Sequence, residues 1–350
     1  MGTALFSIGS HASPPDAQAG MALTIIRSFS RAGKSKVMPD TGSGPKGIRE
    51  RAARLENAEN KWEQSRADYR FFLICANANN LVMKILVPTD FSENAAKALR
   101  FAISITNRLG GSITLYHVYR IGSSAAETFK SKLGEIMRED KLNALQALID
   151  QYREYQRKGT LETRAAVGDR VDLIVDRADK NAYDLICMGI SGESAVDDFF
   201  MGNTAVGVMR NASTPILVIP KEANPIVLKT IVLAVDQQGI STPGLLKQLV
   251  AFAKIQGTVV KVYHQATEGQ PDAIPPSVAA ELEGLHYTYH SEIPDTSHIS
   301  EGIQHFVKQQ DADLLCLIRR RRGFLSRLFS ENVSRDSLFD SKIPILIVKD

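Results

Sequence analysis

From residue 83 to its end, the chain alternates short apolar runs with longer segments that have apolar positions at helical spacing. Short runs rich in Val, Ile and Leu predict buried strands, and strands that alternate with helices are typical of a parallel sheet with crossover helices. The first half of this region predicts strands over 84–90, 112–119, 161–167, 183–188 and 215–219, and helices over 93–109, 125–157, 171–178 and 202–210. These elements fit one doubly wound, Rossmann-like domain with a five-stranded, mostly parallel sheet.

The second half of the region repeats the order of the first. From Cys187 and Cys316 onward the two halves align without a gap, so that the run 214–219 falls on 343–348. Earlier matches are 84–90 with 231–236, Tyr116-His117 with Tyr263-His264, and 183–187 with 312–316. The sequence therefore predicts a tandem duplication with domains at 83–222 and 223–350, packed on each other through their closing strands.

Residues 1–82 differ in composition from the rest of the chain. Gly, Ala, Ser, Pro and basic side chains dominate the first part, and residues 46–70 favour helix but have few apolar positions, so we expect a disordered or weakly helical leader. The leader could be a flexible arm, or the native product could begin near Met83. It contains neither a secretion signal pattern nor an N-myristoylation signal, because Phe6 stands where the latter requires Ser or Thr.

Composition excludes several classes of protein. The chain has 350 residues, of which 44% are hydrophobic and 23% charged, enough apolar material for two ordinary domains. No apolar run is long enough to span a bilayer. The formal charge of +3 is concentrated in the leader, and a near-neutral body argues against a nucleic-acid binder. Three widely spaced cysteines favour a reducing, cytoplasmic location.

A set of glycines follows the fourth predicted strand. Gly189 and Gly192 come directly after it, and Gly202 precedes Asn203 and Thr204 at the start of a predicted helix. Glycines let a backbone approach a phosphate closely, and the free N–H groups of a helix start bind anions. Asp90 ends the first strand, and the carboxyl ends of parallel strands share one edge of a sheet, so its carboxylate could accept hydrogen bonds from a ribose or an adenine at that edge.

These motifs resemble the universal stress protein family over about three quarters of the chain. Its nucleotide-binding members carry Gly, two residues, Gly, nine residues, then Gly with Ser or Thr, a spacing that Gly189, Gly192 and Gly202 match. The resemblance implies that Asp90 contacts the nucleoside and that Val118, after the His of the second strand, lies near the adenine. It also implies ATP, with magnesium as an option, as a regulatory ligand in a cytoplasmic stress response. Asn203 departs from the family pattern, although Thr204 follows it.

The second half has lost the glycines. Their gap-free counterparts are Ile318, Arg321 and Glu331, whereas Asp236 still corresponds to Asp90. Because the second half is predicted to fold without these glycines, we infer that the fold does not require them, and that the second domain does not bind ATP in the family's manner. The run that replaces the loop, Arg319, Arg320, Arg321 and Arg322, is either an anion or acidic-partner patch or a solvated loop.

The remaining chemistry-bearing residues favour no catalytic site. Metal-ligand spacing is absent among the histidines that cluster late in the chain, at His286, His290, His298 and His305. Three functions stay open: ATP as a regulatory ligand, a nucleotide-independent interaction scaffold with a protein partner, and slow ATP hydrolysis or autophosphorylation. A homodimer is also left open.

Overall fold

A computed structural model describes residues 82–120, 127–190, 202–223, 228–267, 269, 272–293, 298–320 and 342–350. The first copy of the repeat contains β1 (Met83–Pro88), α1 (Glu93–Leu109), β2 (Gly111–Tyr119), α2 (Glu127–Tyr152), β3 (Thr160–Val167), α3 (Arg170–Lys180), β4 (Leu185–Gly189), α4 (Asn203–Asn211) and β5 (Ile216–Ile219). The second contains β6 (Thr230–Val235), α5 (Lys247–Gln256), β7 (Val259–Gln265), α6 (Pro276–Glu281), β8 (Tyr287–Glu292), α7 (Ile299–Gln309), β9 (Leu314–Arg319) and β10 (Ile345–Lys349). We call them the amino-terminal copy and the carboxyl-terminal copy.

All ten of these strands belong to one sheet, in the order β3-β2-β1-β4-β5-β10-β9-β6-β7-β8. Neighbours within each copy are parallel, and only the junction of β5 with β10 is antiparallel. Leu217 lies opposite Leu346 at this junction. The predicted α/β class and the pairing of the closing strands are both confirmed.

Helix α1 has the bounds that the sequence pattern predicts, with a serine cap at its start and a glycine at its end. The Ser92 side chain accepts a hydrogen bond from the N–H of Ala95 at its start, and Gly110 follows at a φ of 81° at its end. Between the caps, Ala98, Leu99 and Ala102 are fully buried against the sheet. By contrast, the helix predicted over 125–157 ends earlier, at Tyr152, where a 3₁₀ turn takes over at Arg153–Tyr155.

An aspartate before the fourth strand of each copy ties that strand to the first. In the amino-terminal copy the Asp184 carboxylate accepts from the N–H of Lys84 at 3.0 Å, while the N–H of Asp184 donates to the Lys84 carbonyl at 2.9 Å. Asp313 makes both contacts with Thr230 in the carboxyl-terminal copy, each at 2.9 Å. This shared contact explains why the Asp-Leu-Ile-Cys run recurs as Asp-Leu-Leu-Cys.

Apolar side chains cover both faces of the sheet, as expected for parallel strands with helices on each side. Ile85 and Val87 of β1 point to one face and Leu86 to the other, and the core on each face includes residues of both copies. Leu217 and Leu346 belong to the same apolar cluster. The two copies therefore share core layers that continue across the junction. Among the described residues, no helix is long and apolar enough to cross a membrane.

Replacing Leu346 by Ala should destabilise the protein at the junction of the two copies. Leu346 is fully buried, so truncation leaves a cavity and should lower the free energy of unfolding by about 2–5 kcal/mol. Urea unfolding followed by circular dichroism measures the change. Ile136→Ala is the control, because Ile136 is 53% exposed and its truncation should cost less than about 1 kcal/mol. Equal, small losses for both variants would contradict a shared core.

Candidate functional site

The strand order creates a topological switch point in the amino-terminal copy. The chain passes from β1 to β2 on one side and later returns to β4 on the other, so β1 lies between two strands reached by opposite crossovers. Open α/β sheets bind ligands at the carboxyl ends of strands at such a switch point. Asp90 follows β1, Val118 lies near the end of β2, and Gly189 ends β4. We call the space at the ends of β1 and β4 the amino-terminal crevice.

The turn after β1 is fixed by local hydrogen bonds. Thr89 Oγ1 accepts from the N–H of Phe91 at 3.0 Å, and Asp90 Oδ1 accepts from the N–H of Ser92 at 3.1 Å. Phe91 itself has a φ of 67°, an unfavourable conformation for a residue with a Cβ. Strained backbone persists only where its surroundings hold it, and such positions concentrate at functional sites.

His117 supports this turn from β2. Its Nδ1 lies 2.8 Å from the Thr89 carbonyl oxygen, so this nitrogen carries the proton and donates it. Burial lowers the pKa of His117, despite the opposing effect of the Thr89 carbonyl, and this favours the neutral ring. The Phe91 ring packs against His117 with centroids 4.7 Å apart. The sequence indicated His117 as a repeated residue and as part of the second-strand motif, but not that it positions the turn that carries Asp90.

Val118 is 4% exposed and packs in the apolar core beneath α3. Because its side chain is covered, a ligand at this edge would meet the residue mainly at its backbone.

A backbone hydrogen bond joins the two ends of the loop between β4 and α4. The N–H of Gly202 donates to the Ile190 carbonyl at 2.9 Å, and the N–H of Ile190 donates to the Ile219 carbonyl of β5 at 3.1 Å. The start of α4 therefore lies beside the end of β4, as the glycine motif requires. Gly192, the middle glycine of the motif, lies outside the described residues.

The amino end of α4 presents backbone N–H groups without a side-chain cap. Gly202 is its N-cap residue and supplies no side-chain capping hydrogen bond. Asn203 is exposed and Thr204 is half-buried in the first turn. The first N–H groups of a helix have no partner within the helix and carry the positive end of its dipole, so this end suits an anion.

Gly189 has a packing role that the comparison of the two copies did not reveal. A Cβ at Gly189 would lie 2.9 Å from the backbone C and O of Asn94, in the first turn of α1. The carboxyl-terminal copy has the buried Ile318 at this position. Its α5 begins only at Lys247, so more residues separate this helix from Asp236 than separate α1 from Asp90. The inference that the fold does not require this glycine is thus wrong for the amino-terminal copy, because α1 starts where a side chain would collide with it.

The equivalent carboxyl-terminal crevice, at the ends of β6 and β9, is filled by a side chain of the protein itself. The Arg320 guanidinium donates to Asp236 Oδ1, to the Gly239 carbonyl and, at 3.0 Å, to Asp350 Oδ2. The side chains of Arg320, Asp236 and Asp350 are 11%, 9% and 1% exposed. Asp236, the counterpart of Asp90, is therefore occupied by an internal cation.

Two of the four arginines in the predicted anion patch have acceptors within the protein. Arg320 lies in the crevice, and Arg319 donates to the carbonyl oxygens of Arg210 and Ala212. Both guanidinium groups are therefore bonded to groups of the protein itself. Arg321 and Arg322 lie outside the described residues, and for them the patch stays a prediction.

The thiols and histidines form no reactive cluster in the described part of the chain. Cys187 and Cys316 are both free thiols. Burial raises the pKa of each thiol, and the raised pKa disfavours the nucleophilic thiolate. Within the same residues, no group of three or more His, Cys, Asp or Glu side chains could hold a metal ion.

Comparisons with known proteins agree with this architecture. The sequence model of the universal stress protein family matches residues 82–220 and 228–349. The universal stress protein MJ0531 of Methanocaldococcus jannaschii is 30% identical over 153 residues, which cover 42% of this chain and 88% of that protein. The universal stress protein MJ0577 of the same organism is 24% identical over 156 residues, which cover 40% of this chain and 95% of that protein. A crystal structure of a universal stress protein from Archaeoglobus fulgidus has a TM-score of 0.56 at 18% identity, covers 76% of this chain and 95% of that one, and therefore has a similar fold.

Gly189→Ala should destabilise the protein in the absence of any nucleotide. The added Cβ would press on the backbone of Asn94, which cannot move without shifting α1, so we expect a loss of about 1–3 kcal/mol in the free energy of unfolding. Urea unfolding of the ligand-free protein measures it. An unchanged midpoint would show that α1 does not approach β4 this closely.

Asp350→Asn should make the stability of the protein less dependent on acid pH. Burial alone would raise the pKa of Asp350, but hydrogen bonds from Ser241 and Thr242 and the charge of Arg320 outweigh it, so its pKa is lowered. A lowered pKa means that the carboxylate stabilises the fold above its unfolded pKa of about 3.9, and that this contribution disappears as the pH falls through the folded value.

The loss caused by Asp350→Asn should therefore be about 1.5–3 kcal/mol at pH 7 and shrink below about pH 4. Chemical unfolding between these pH values tests it. Asp140→Asn on α2 is the control, because Asp140 is exposed and its loss should stay within about 0.5 kcal/mol. A loss that remains constant with pH would exclude the proposed stabilisation by the carboxylate.

Proposed function

This chain belongs to the universal stress protein family, and from that premise we propose that it binds ATP in its amino-terminal copy as a regulatory ligand of a stress response. One observation carries the proposal. The Gly202 N–H to Ile190 carbonyl bond holds the uncapped start of α4 beside the end of β4, at the sheet edge where Asp90 follows the adjacent β1. The start of the helix suits the phosphates of a nucleotide, and the acceptor at the same switch point suits its nucleoside.

The phosphate end of the ligand would meet the first turn of α4. Its backbone N–H groups, the Asn203 amide and the Thr204 hydroxyl are all hydrogen-bond donors. An Asn amide can donate to a phosphate oxygen as a Ser or Thr hydroxyl does, so the departure at Asn203 keeps the chemistry of the site. The family motif adds the backbone of Gly192.

The nucleoside end would meet the turn after β1. Asp90 can accept from ribose hydroxyls or from the adenine amine through carboxylate oxygens that the turn orients. Val118 would contact the base through its backbone and the small part of its side chain that is exposed.

Magnesium fits this site only as a companion of the nucleotide. Because the described residues contain no cluster of metal-ligating side chains, its main ligands would be the phosphate oxygens, as is common for this ion. The metal would supply charge neutralisation of the phosphates, and Thr204 is the residue of α4 whose hydroxyl could lie against it.

Binding is proposed for one copy only. Arg320 occupies the carboxyl-terminal crevice and uses Asp236, the residue that a nucleoside would need. The expected stoichiometry is one nucleotide per chain. Occupancy can regulate the protein only if two of its conformations, or its free and partner-bound states, differ in nucleotide affinity.

A nucleotide-independent scaffold is a second candidate, and Gly189 favours it. The packing of α1 explains this glycine without any ligand. In that case the continuous sheet of two copies would serve to present surfaces to a protein partner. For either function we propose a cytoplasmic location, supported by the free thiols of Cys187 and Cys316.

Asp90→Asn should weaken ATP binding, whereas Asp236→Asn should not. Each replaced carboxylate accepts from the N–H two residues later, Ser92 and Gln238 respectively, and the Asn oxygen can keep that bond. Both variants keep this turn bond and differ in which copy they change. Asp236→Asn also removes the carboxylate that Arg320 pairs with, so urea unfolding first verifies that this variant is folded. Loss of a charged acceptor should reduce ATP affinity about tenfold or more for Asp90→Asn.

Titration calorimetry with ATP and magnesium gives both affinity and stoichiometry. Equal weakening by the two variants would contradict binding in the amino-terminal copy alone. An unaltered affinity in Asp90→Asn would remove Asp90 from the site. No heat of binding for the unmodified chain at millimolar ATP would refute the proposal and leave the scaffold.

A further inference from the structure

Helix α4 is held at its far end by the other copy. Its amino end belongs to the proposed nucleotide site, and its carboxyl end receives the guanidinium of Arg319, which ends β9 of the carboxyl-terminal copy. Arg319 donates to the carbonyl oxygens of Arg210, in the last turn of α4, and of Ala212, just after the helix. Successive strand residues point to opposite faces, so Arg319 reaches α4 while its neighbour Arg320 enters the carboxyl-terminal crevice.

These contacts suit the end of a helix. The last carbonyl groups of a helix have no partner within it and carry the negative end of its dipole, so a cation placed there stabilises both. Arg319 is half-buried, and its two parallel donors can bind two carbonyl oxygens at once. Asp179 fixes the chain just beyond, because its carboxylate accepts from the N–H groups of Ser213 and Thr214 at 2.8–3.1 Å.

The helix also has little freedom to shift sideways. At Gly207 the backbone of α4 lies so close to α3 that an added Cβ would stand 2.6 Å from Val171 Cγ2. Anchors at its side and at its carboxyl end therefore determine where its amino end lies. A displacement of a binding group by about 1 Å is enough to weaken its interaction with the ligand strongly.

We propose that Arg319 is a positioning residue for the nucleotide site: the carboxyl-terminal copy, with its own crevice filled, holds the phosphate-binding helix of the amino-terminal copy in place. This inference rests on the proposed function. As a consequence, the affinity of the amino-terminal copy for the phosphates of its ligand depends on a side chain of the carboxyl-terminal copy. This dependence is a coupling free energy between the two copies.

The test compares ATP with adenosine, which lacks phosphates, on the full chain. Arg319→Met keeps most of the apolar stem and removes the donors, so ATP affinity should fall about fivefold or more while adenosine affinity stays the same. Lys349→Met is the matched control. Lys349 also reaches from the carboxyl-terminal copy to the segment after α4, but its Nζ donates at 3.0 Å to the Ser213 hydroxyl and not to the helix end. It should change neither affinity.

Arg319→Lys covers the case in which the Met variant does not fold. It keeps the charge but loses the two-pronged geometry, so it should weaken ATP about twofold to threefold and leave adenosine unchanged. Calorimetric titrations are made well below the unfolding temperature of every variant.

The outcomes separate this inference from the proposed function. If the Arg319 variants weaken ATP and adenosine alike, or neither, Arg319 has only a structural role and the inference is overturned while ATP binding stands. If the unmodified chain binds no ATP, the proposed function fails first and the positioning role fails with it. Weakening of ATP alone by the Arg319 variants, with Lys349→Met unchanged, supports the inference.

Discussion

The antiparallel pairing of β5 with β10 is the contact on which the rest of this structure depends. It joins two parallel half-sheets into one, and it brings Leu217 and Leu346 into a core that belongs to both copies. It also brings β9 close enough to the amino-terminal copy for Arg319 to reach the end of α4. Without this pairing, each half-sheet would have an open edge at its closing strand, an unprotected site for association with other chains.

The two copies use one scaffold in opposite ways at the carboxyl ends of their strands. In the amino-terminal copy, Thr89 and His117 shape a turn that orients Asp90, and the start of α4 is left without a side-chain cap. In the carboxyl-terminal copy, the corresponding Asp236 is neutralised by Arg320 within the protein. Removing one partner of a buried ion pair leaves the other charge uncompensated. We therefore expect Arg320 to stay bonded to Asp236 in the carboxyl-terminal crevice.

Much of the fold followed from local sequence signals. Helix α1 was predicted to the residue from apolar positions at helical spacing, and the structure places Ser92 and Gly110 at its two ends. The repeat was visible in the sequence, and Asp184 and Asp313 make the same contacts in the two copies. The end of α2 was placed too late, since residues beyond Tyr152 are compatible with helix and the 3₁₀ turn is not marked by Gly or Pro.

The candidate site was less predictable, because its decisive contacts join residues distant in sequence. The collision that Gly189 avoids depends on where α1 begins relative to β4. Nothing in a run of four arginines indicates that one turns toward Asp236 and Asp350 and another toward α4, because these partners are set by the packing of the copies. The family motif predicted a candidate site at this edge of the sheet, and the tertiary contacts show which residues surround it.

A crystal structure of the full chain grown with ATP and magnesium would show which copy binds the nucleotide. We expect one nucleotide, with its phosphates at the start of α4 and its nucleoside at Asp90, while Arg320 remains bonded to Asp236. A nucleotide in the carboxyl-terminal crevice with Arg320 displaced, or electron density for ATP in neither crevice at saturating concentration, would contradict it.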